Sequence, residues 1–470
     1  MATETFLAVD GTVTRVPAGD VQQRLRSRLR GTTLGAGDAG YEEGREVWNA
    51  MIDRRPALIA QCADAQDVQR CVRFAREHGI TVTVRGAGHN IAGRAVGDGA
   101  LLVDGAPRRR VHADPRRGVV EVEPGATLGD VDEATEPHGW VVPSGIVSET
   151  GLAGLTLGGG FGWLSRRFGL TCDHLIGVEM VTGEGDIVSA TEETHPDLFW
   201  ALRGGGGGCG IVTRFQFRPR ALEPTVMAGP LIRPSEEVED AFDRFRRATA
   251  GAPEEMTCML KLGAAPPAPF LPEDVHGTPV AFTVVCHTGE PNEAERDLAS
   301  LRAAPAPLAD LIQPRPFPQF QSMFDAGEPR GRRDYWKSEY ITDLDDHIVR
   351  VLLDAHQRLP SPHANIKVFQ LGGAVSRVAP ESSAAGHRDA RFIVVVASAW
   401  ESPADDAANM GWVRDTWSRV HARSGRGGYV NFLTDDVGAE ERARAFAGVD
   451  LDRLQAIRKR YDPDQLFASA

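Results

Sequence analysis

The segment LTLGGGFGWLSRRFGL, residues 155–170, begins with glycines set among apolar residues that imply burial. Glycine has no side chain, so its backbone N–H groups can approach a diphosphate that larger residues would keep at a distance. Flexible turns are the alternative interpretation, but they explain poorly why glycines stand between apolar neighbours. We therefore expect this segment to contact a bound cofactor.

Two further glycine-rich runs flank it in the sequence. The run RGAGHN, residues 85–90, offers the same kind of backbone donor. Gly205, Gly207 and Gly210 formally match GxGxxG, which in a Rossmann fold follows a strand and opens a helix. Here a predicted helix at 197–203 comes first and a predicted strand at 211–218 follows, so the order argues against a Rossmann site.

Hydrophobic periodicity predicts an α+β fold with short mixed sheets in the first half and a second sheet after Pro219. Strands are predicted at 56–63, 80–85, 100–105, 118–125, 279–287, 364–373 and 391–400. Helices are predicted at 65–79 and 128–138, and near 236–249, 293–303 and 345–358. From about Ala407 the chain turns helical, with one short strand at Tyr429–Leu433. The stretch GTTLGAGDAG, residues 31–40, is interpreted as an extension or loop.

Charge and composition exclude several classes of partner. The formal net charge of −13 argues against a nucleic acid or an anionic membrane, because phosphate binding requires a basic face. No stretch approaches the roughly 20 apolar residues of a membrane span, and the N-terminus has no secretory pattern. The six cysteines form no CxxC pair and no zinc spacing, so we expect a reduced, cytoplasmic protein without a structural metal.

Five segments occur in an order that points to a known family. They are RGAGHNIAG (85–93), PSGIVSETGLAGLTLGGGFGWLSRRFGLTCDHL (143–175), HPDLFWALRGGGGGCGIVTRF (195–215), GGYVNF (427–432) and RLQAIRKRYDPDQLF (453–467). The chain resembles the berberine-bridge-enzyme-like branch of the FAD-linked oxidases, in the vanillyl-alcohol-oxidase and p-cresol-methylhydroxylase superfamily. The resemblance implies a two-part FAD-binding domain of the p-cresol-methylhydroxylase type, plus a substrate domain with an antiparallel sheet backed by helices. The expected division is an N-terminal extension (1–40), an FAD-binding domain (41–222), a substrate-binding domain (223–406) and a C-terminal segment (407–470) that returns to the FAD-binding domain.

The resemblance also implies how FAD is attached. In the family, the histidine at the place of His89 bonds to the 8-methyl carbon of the flavin; the alternative is a loop histidine satisfied by backbone groups. Some relatives add a second bond from a cysteine, whose place here falls on Val147, so a single covalent link is expected. We interpret Cys172 as a packed residue, whereas Cys209 either packs or lies near the flavin.

The same resemblance places a set of residues against FAD, mostly through their backbone. The expected cofactor contacts are Arg85, Gly86, Ala87, Gly88, Asn90, Gly93, Gly151, Gly154, Leu157, Gly158, Gly159, Gly160, Gly162, Ile211, Val212 and Asn431. Within this set, Gly151 and Gly154 would border the isoalloxazine and Ile211 with Val212 the adenine. Relatives usually continue after the terminal LF with an Asn-x-Asn segment, and this chain continues with Ala468–Ala470, so a terminal contact to the flavin is not expected.

Catalytic and substrate residues follow from the resemblance and from residue type. Tyr429 and Asn431 match the family's Y-x-N strand, and a spacing of two puts both side chains on one strand face. Because its ordinary pKa is about 10, a tyrosine base needs a nearby cation or a hydrogen-bonded partner, and Lys337 is the candidate partner. Plant relatives can use a glutamate whose corresponding position here is Val395, so that acid is absent from this chain. Residues expected to face the substrate are Gln319, Tyr335, Tyr340, Gln370 and Trp400, for each of which packing or surface exposure is an equal alternative.

The function that follows is an FAD-dependent oxidase. It would oxidise a C–H, C–OH or C–N centre of a mid-sized natural-product, alkaloid or sugar-like substrate, with hydride transfer to flavin and reoxidation by dioxygen. The alternative is a flavin-fold protein that binds or sequesters a small molecule, with secondary redox activity. Dehydrogenase and oxygenase behaviour, and a monomer or a homodimer, remain open.

Overall fold

The computed structural model describes residues 3–467, and two sheets form most of its first half. The mixed sheet consists, in spatial order, of Thr32–Leu34, Leu58–Gln61, Leu101–Asp104 and Val82–Arg85, of which the last three run parallel. The five-stranded sheet is antiparallel and consists of Ile187–Ala190, Leu175–Thr182, Gly210–Phe217, Val119–Val122 and Val111–Asp114. This arrangement confirms the mixed α+β character expected for the first half of the chain.

The helix Ala65–His78 shows why local sequence sets the boundaries of these elements. The Asp64 side chain caps its first turn by accepting the Asp67 N–H, and Gly79 ends it in the left-handed conformation at φ 61°. Its apolar residues, among them Val68 and Val72, are buried in the core that includes Leu58 and Leu101 of the mixed sheet. The predicted span of this helix is confirmed.

The N-terminal residues are part of this core, which corrects the interpretation of 31–40 as an extension or loop. Thr32–Leu34 pairs antiparallel with Leu58–Gln61. Without this pairing, the outer N–H and C=O groups of Leu58–Gln61 would be unpaired at the edge of the sheet. Three residues are too few to show a periodic pattern. Ahead of it, Thr3–Leu7 and Val13–Pro17 form a hairpin whose Phe6 is buried in the same core.

The second half contains the large sheet, with helices on one face. Its eight antiparallel strands are Val226–Pro234, Met256–Ala264, Pro279–His287, Ala309–Asp310, Gln313–Arg315, Arg333–Ile341, Asn365–Gln370 and Phe392–Trp400. The covering helices are Val238–Ala250, Pro291–Arg302, Asp346–His356 and Asp406–Ser424. We call the side they cover the helix face; Leu260, Val368 and Val394 belong to its core. An antiparallel sheet backed by helices is confirmed.

The shorter helices connect these sheets or cover their edges. They are Ala18–Asp20, Tyr41–Arg45, Leu128–Thr135, Leu152–Leu157, Ser165–Phe168, Pro196–Leu202, Phe317–Gln321, Ala374–Arg377, Ala439–Arg444 and Leu451–Tyr461. No helix within residues 3–467 combines the length and apolar character that crossing a lipid bilayer requires.

The C-terminal segment returns to the first half of the molecule. Leu451–Tyr461 packs against Pro196–Leu202, and Phe467 bridges to Val82 at the end of the mixed sheet. Residues Ala468–Ala470, where the terminal contact to the flavin was not expected, lie outside the described residues. The predicted strand Tyr429–Leu433 is wrong: Val430–Phe432 is a 3₁₀ turn, closed by the Phe432 N–H donating to the Tyr429 carbonyl at 2.8 Å.

Candidate active site

A cavity of about 610 Å³ lies where the three sheets and the C-terminal segment meet. This volume is within the range of cofactor and ligand sites. Its walls come from the loop Arg85–Asn90 after the mixed sheet, from Gly151–Leu157, from the large sheet and from Tyr429–Leu433. We call the side of the large sheet that lines it the cavity face. This one cavity therefore brings together residues from all five segments that carry the family resemblance.

His89 is part of the cavity wall and stacks on Trp48, with ring centroids 4.6 Å apart and planes at 18°. Its Nε2 is buried and has no hydrogen-bond partner among residues 3–467. Burial lowers the pKa of His89 to about 4, so the ring is neutral at physiological pH. A neutral imidazole with an unpartnered nitrogen differs from the loop histidine satisfied by backbone groups, which was the alternative interpretation.

Much of the predicted cofactor set lines this cavity. The lining residues are Arg85, Gly86, Ala87, Gly88, Asn90, Gly151, Gly154, Leu157, Ile211, Val212 and Asn431. A Cβ atom on Gly154 would meet no atom within 4 Å, so this backbone is open to the space. Arg85 contributes backbone only, because its guanidinium pairs with Asp104 at 2.6 Å. Val147, at the position where some relatives have a second linking cysteine, also lines the cavity but has no thiol.

Five predicted contacts do not reach this cavity: Gly93, Gly158, Gly159, Gly160 and Gly162. A Cβ atom on Gly158 would collide with the Asn431 side chain, and one on Gly162 with the Ser144 carbonyl. At Gly158, Gly160 and Gly162 the absence of a side chain therefore serves close packing within the protein. Gly206, Gly207 and Gly208, from the run that does not fit a Rossmann fold, line the cavity instead.

Tyr429 and Asn431 meet at the cavity, but through the turn rather than along a strand. The Tyr429 Oη accepts hydrogen bonds from the Asn431 Nδ2 at 2.8 Å and from the Gly160 N–H at 3.0 Å. Burial raises the pKa of Tyr429, and these two bonds offset that effect only in part. The tyrosine is therefore neutral at physiological pH and keeps its own proton available for donation.

Lys337 does not assist Tyr429, which corrects the predicted pairing. Side chains alternate along Arg333–Ile341, and Lys337 points to the helix face. Its Nζ bonds Glu441 at 3.0 Å and lies 4.3 Å from the centre of the Trp417 ring. Its charge is therefore compensated away from the cavity.

None of the five predicted substrate residues lines the main cavity. Gln319 is exposed, and Tyr340 stacks on His387 at 4.2 Å. The remaining three form internal hydrogen bonds: Tyr335 to Asp436 at 2.7 Å, Gln370 from the Cys258 N–H at 3.1 Å and Trp400 to Asp406 at 2.7 Å. These residues were predicted from residue type alone, whereas strand alternation or position places their side chains away from the cavity.

A buried charge cluster that sequence reasoning missed lies at the cavity face. Lys367 and Glu328 line the cavity and pair at 2.8 Å, and Lys261 lies directly across the strands from Lys367. Burial, reinforced by the charge of Lys367, lowers the pKa of Lys261 to about 8. Burial alone would raise the pKa of Glu328, but the two lysines hold it below its ordinary value. The available signal was a single lysine in each of two otherwise apolar strands, MTCMLKLGA and NIKVFQ.

The cysteines are packed rather than reactive. Cys209 is buried in the core beside the five-stranded sheet and does not line the cavity, and burial raises its pKa to about 11. Cys172 is buried as well, with a raised pKa. Among residues 3–467, no group of three or more His, Cys, Asp or Glu side chains is placed to hold a metal ion.

Comparison with known proteins gives family matches for the region that contains His89 and for the C-terminal segment. A family described as "FAD binding domain" matches residues 56–191, and one described as "Berberine and berberine like" matches 428–470. The chain is 26% identical to an uncharacterised FAD-linked oxidoreductase of Bacillus subtilis over 94% of its length and 96% of that protein. It is 27% identical to (R)-6-hydroxynicotine oxidase of Paenarthrobacter nicotinovorans, covering 93% and 95%. The solved BBE-like 1 structure of Physcomitrella patens has a TM-score of 0.85 at 22% identity, covering 95% and 97%.

Proposed function

We propose that the chain, which is similar to berberine-bridge-enzyme-like FAD-linked oxidoreductases, is an oxidase whose FAD is bonded to His89 alone. The observation that carries the proposal is the buried, unpartnered Nε2 of His89 in the cavity wall. A buried nitrogen without a hydrogen bond costs free energy, which a covalent bond to the cofactor would remove. Val147, at the place of a second cysteine, supports a single link.

The residues present fit FAD. The loop Arg85–Asn90 and the open backbone at Gly154 provide donors and room for the flavin and its ribityl chain, and Ile211 with Val212 provide an apolar wall for the adenine. FAD bound there would supply the hydride acceptor for oxidation of a substrate carbon, with dioxygen as the final electron acceptor and hydrogen peroxide as the product. The protein's part is to hold the substrate and to manage protons.

We assign the proton-accepting role to Glu328, not to Tyr429. The carboxylate of Glu328 is held ionised by Lys367 and Lys261 and faces the cavity, so its oxygen can accept the proton of a substrate O–H or N–H group. Tyr429, neutral and anchored through Oη by Asn431 and Gly160, donates its proton to a polar group of the bound ligand. Glu328 thus accepts a proton, and Tyr429 donates one.

The cavity face favours a mid-sized substrate with a ring and one polar group. Met259, Trp336, Phe369 and Val395 supply an apolar, partly aromatic surface beside the single charged pair. Such a surface suits an alkaloid, a natural product or a sugar-like ring, with an O–H or N–H group directed at Glu328. The name (R)-6-hydroxynicotine oxidase, carried by one relative, is in keeping with a nitrogen-containing ring.

The attachment is tested by acid precipitation of wild-type protein and of His89→Ala. The flavin should stay with the precipitated wild-type polypeptide and pass into the supernatant for the variant. Cys209→Ser is the matched control and should retain the flavin, because Cys209 does not reach the cavity. Flavin that remains bound to precipitated His89→Ala would refute the link.

Oxidase activity is tested separately by screening amines, alcohols and sugars for peroxide release by the wild-type protein. Turnover with peroxide formation supports the oxidase. A ligand that binds tightly but is recovered unchanged would instead support the sequestering alternative.

A further inference from the structure

One lobe of the cavity is lined by three arginines. Arg94 follows the His89 loop, Arg442 lies in the helix Ala439–Arg444 and Arg458 in the helix Leu451–Tyr461. Between them runs the glycine stretch 206–208. We call this group the arginine lobe. Although the three arginines come from distant parts of the sequence, the C-terminal helices bring their charges to one side of the same cavity as His89.

No carboxylate within the described residues pairs with these charges, whereas two other arginines at or near the cavity have such a partner. Arg85 pairs with Asp104, and Arg54, next to the lobe, pairs with Asp435. Among residues 3–467, none of the three lobe arginines forms an ion pair with a carboxylate. The Arg94 Nη2 and the Arg458 Nε are also buried without any hydrogen-bond partner.

Burial lowers the pKa of Arg94, and the neighbouring charges of Arg442, Arg458 and Arg54 lower it further, against a partial offset from Asp435. A guanidinium nevertheless remains protonated in proteins. Like charges gathered in a partly buried space destabilise the folded chain unless an anion lies between them. The lobe therefore has both the charge and the free donors for an anionic ligand.

The glycine stretch supplies an independent observation. Gly206 and Gly208 adopt φ values of +76° and +97°, in the region that favours glycine. A Cβ atom on either would have an Arg458 nitrogen as its nearest neighbour, at 3.6 Å for Gly206 and 3.4 Å for Gly208. Arg458 is itself fixed by donating from Nη2 to the Gly205 carbonyl at 2.6 Å. Bare backbone beside fixed guanidinium groups is the pattern of a phosphate site.

We propose that the arginine lobe is a diphosphate-binding subsite. Two sources of this chemistry exist: the diphosphate of FAD itself, in the cavity that already contains the His89 loop, or a second phosphorylated molecule that binds beside the flavin. The proposal rests on the FAD binding proposed above, and not on the covalent bond to His89. A flavin-free wild-type protein would therefore argue against FAD binding rather than against the lobe.

The first arm measures cofactor affinity in the His89→Ala protein, where flavin exchanges freely. Arg94→Gln combined with Arg442→Gln should weaken FAD binding by roughly 100-fold or more, because two charge-assisted hydrogen bonds are lost. Riboflavin, which has no phosphate, should bind equally to both proteins. Raised salt should narrow the difference for FAD. The control is Arg110→Gln, whose side chain is 79% exposed and lies outside the cavity.

The second arm titrates inorganic diphosphate into the flavin-loaded protein by calorimetry. Binding that Arg94→Gln/Arg442→Gln abolishes, with FAD affinity unchanged, would identify a second phosphorylated ligand as the occupant. If the His89→Ala background fails to fold, the flavin content of the double variant with His89 intact replaces the first arm and should fall. The proposal is overturned if FAD affinity stays within twofold of the Arg110→Gln control and the loaded protein binds no diphosphate.

Discussion

The two faces of the large sheet carry similar side chains with opposite roles. On the helix face, Lys337 bonds Glu441 and Gln370 accepts the Cys258 N–H, so their polar groups are satisfied within the protein. On the cavity face, Lys367 pairs with Glu328 in the wall of a 610 Å³ space. The difference teaches that the face of the sheet to which a side chain points, not its residue type, decides which polar groups of this sheet are available to a ligand.

Two neighbouring valines of the strand Phe392–Trp400 point to opposite faces of the sheet, so they test this difference most directly. Val394 belongs to the core of the helix face and lies across the strands from Glu339, whereas Val395 lines the cavity between Lys367 and Ser338. Val394→Glu should therefore bury a charge beside a second carboxylate and lower the free energy of unfolding by about 4 kcal/mol or more. Val395→Glu should cost less than about 2 kcal/mol, because Lys367 and the open space receive the carboxylate. Urea unfolding of the two variants measures both, and equal losses would contradict the assignment of faces.

The next largest effect concerns the paired lysines. Lys367→Met should lower kcat/KM by about 100-fold, because Glu328 loses the cation that keeps it ionised and in place. Lys337→Met is the matched variant on the helix face. It should leave kcat/KM within about twofold of wild type and lower the free energy of unfolding by about 1–3 kcal/mol, since Glu441 loses its partner. Steady-state kinetics with a substrate from the peroxide screen, paired with urea unfolding, separates the two. A larger loss of activity in Lys337→Met would restore the predicted pairing with Tyr429.

Much of the fold could be predicted from the sequence, because the elements are locally determined. Ala65–His78 has an aspartate cap, helical spacing of apolar residues and a terminal glycine, and apolar runs such as FIVVVASAW form buried strands. The turn at Val430–Phe432 was mistaken for a strand, because Tyr429 and Asn431 match a spacing of two without the length that defines a strand. Thr32–Leu34 was missed because only pairing with Leu58–Gln61 makes it a strand.

The candidate site was predicted on its flavin side and missed on its substrate side. Motif residues such as His89 and Gly154 occupy contiguous segments, so their placement follows from the chain itself. The charge cluster joins Lys261 and Lys367, on adjacent strands, to Glu328 in a loop, and only the register of the sheet brings them together. Three of the four lysines of this arginine-rich chain lie in large-sheet strands, which was a sequence signal for that cluster. For the same reason no single motif predicts the arginine lobe: Arg458 and the glycines 206–208 lie in two different segments, and Arg94 and Arg442 lie outside all five.

The smallest expected effect is the pH dependence that Lys261 contributes on the cavity face. The pKa of Lys261 is about 8 in the folded protein against an ordinary value of 10.5, so between these values the unfolded chain binds more protons than the folded one. The free energy of unfolding contributed by this group therefore rises with pH across that window, and below it Lys261 destabilises the fold by up to about 3 kcal/mol. Lys261→Met should be more stable than wild type at pH 7, and the difference should shrink above pH 8. The exposed Lys459→Met should show no such trend, and a Lys261→Met difference that stays constant with pH would mean that this lysine is not held in the desolvated, like-charged setting of the cavity face.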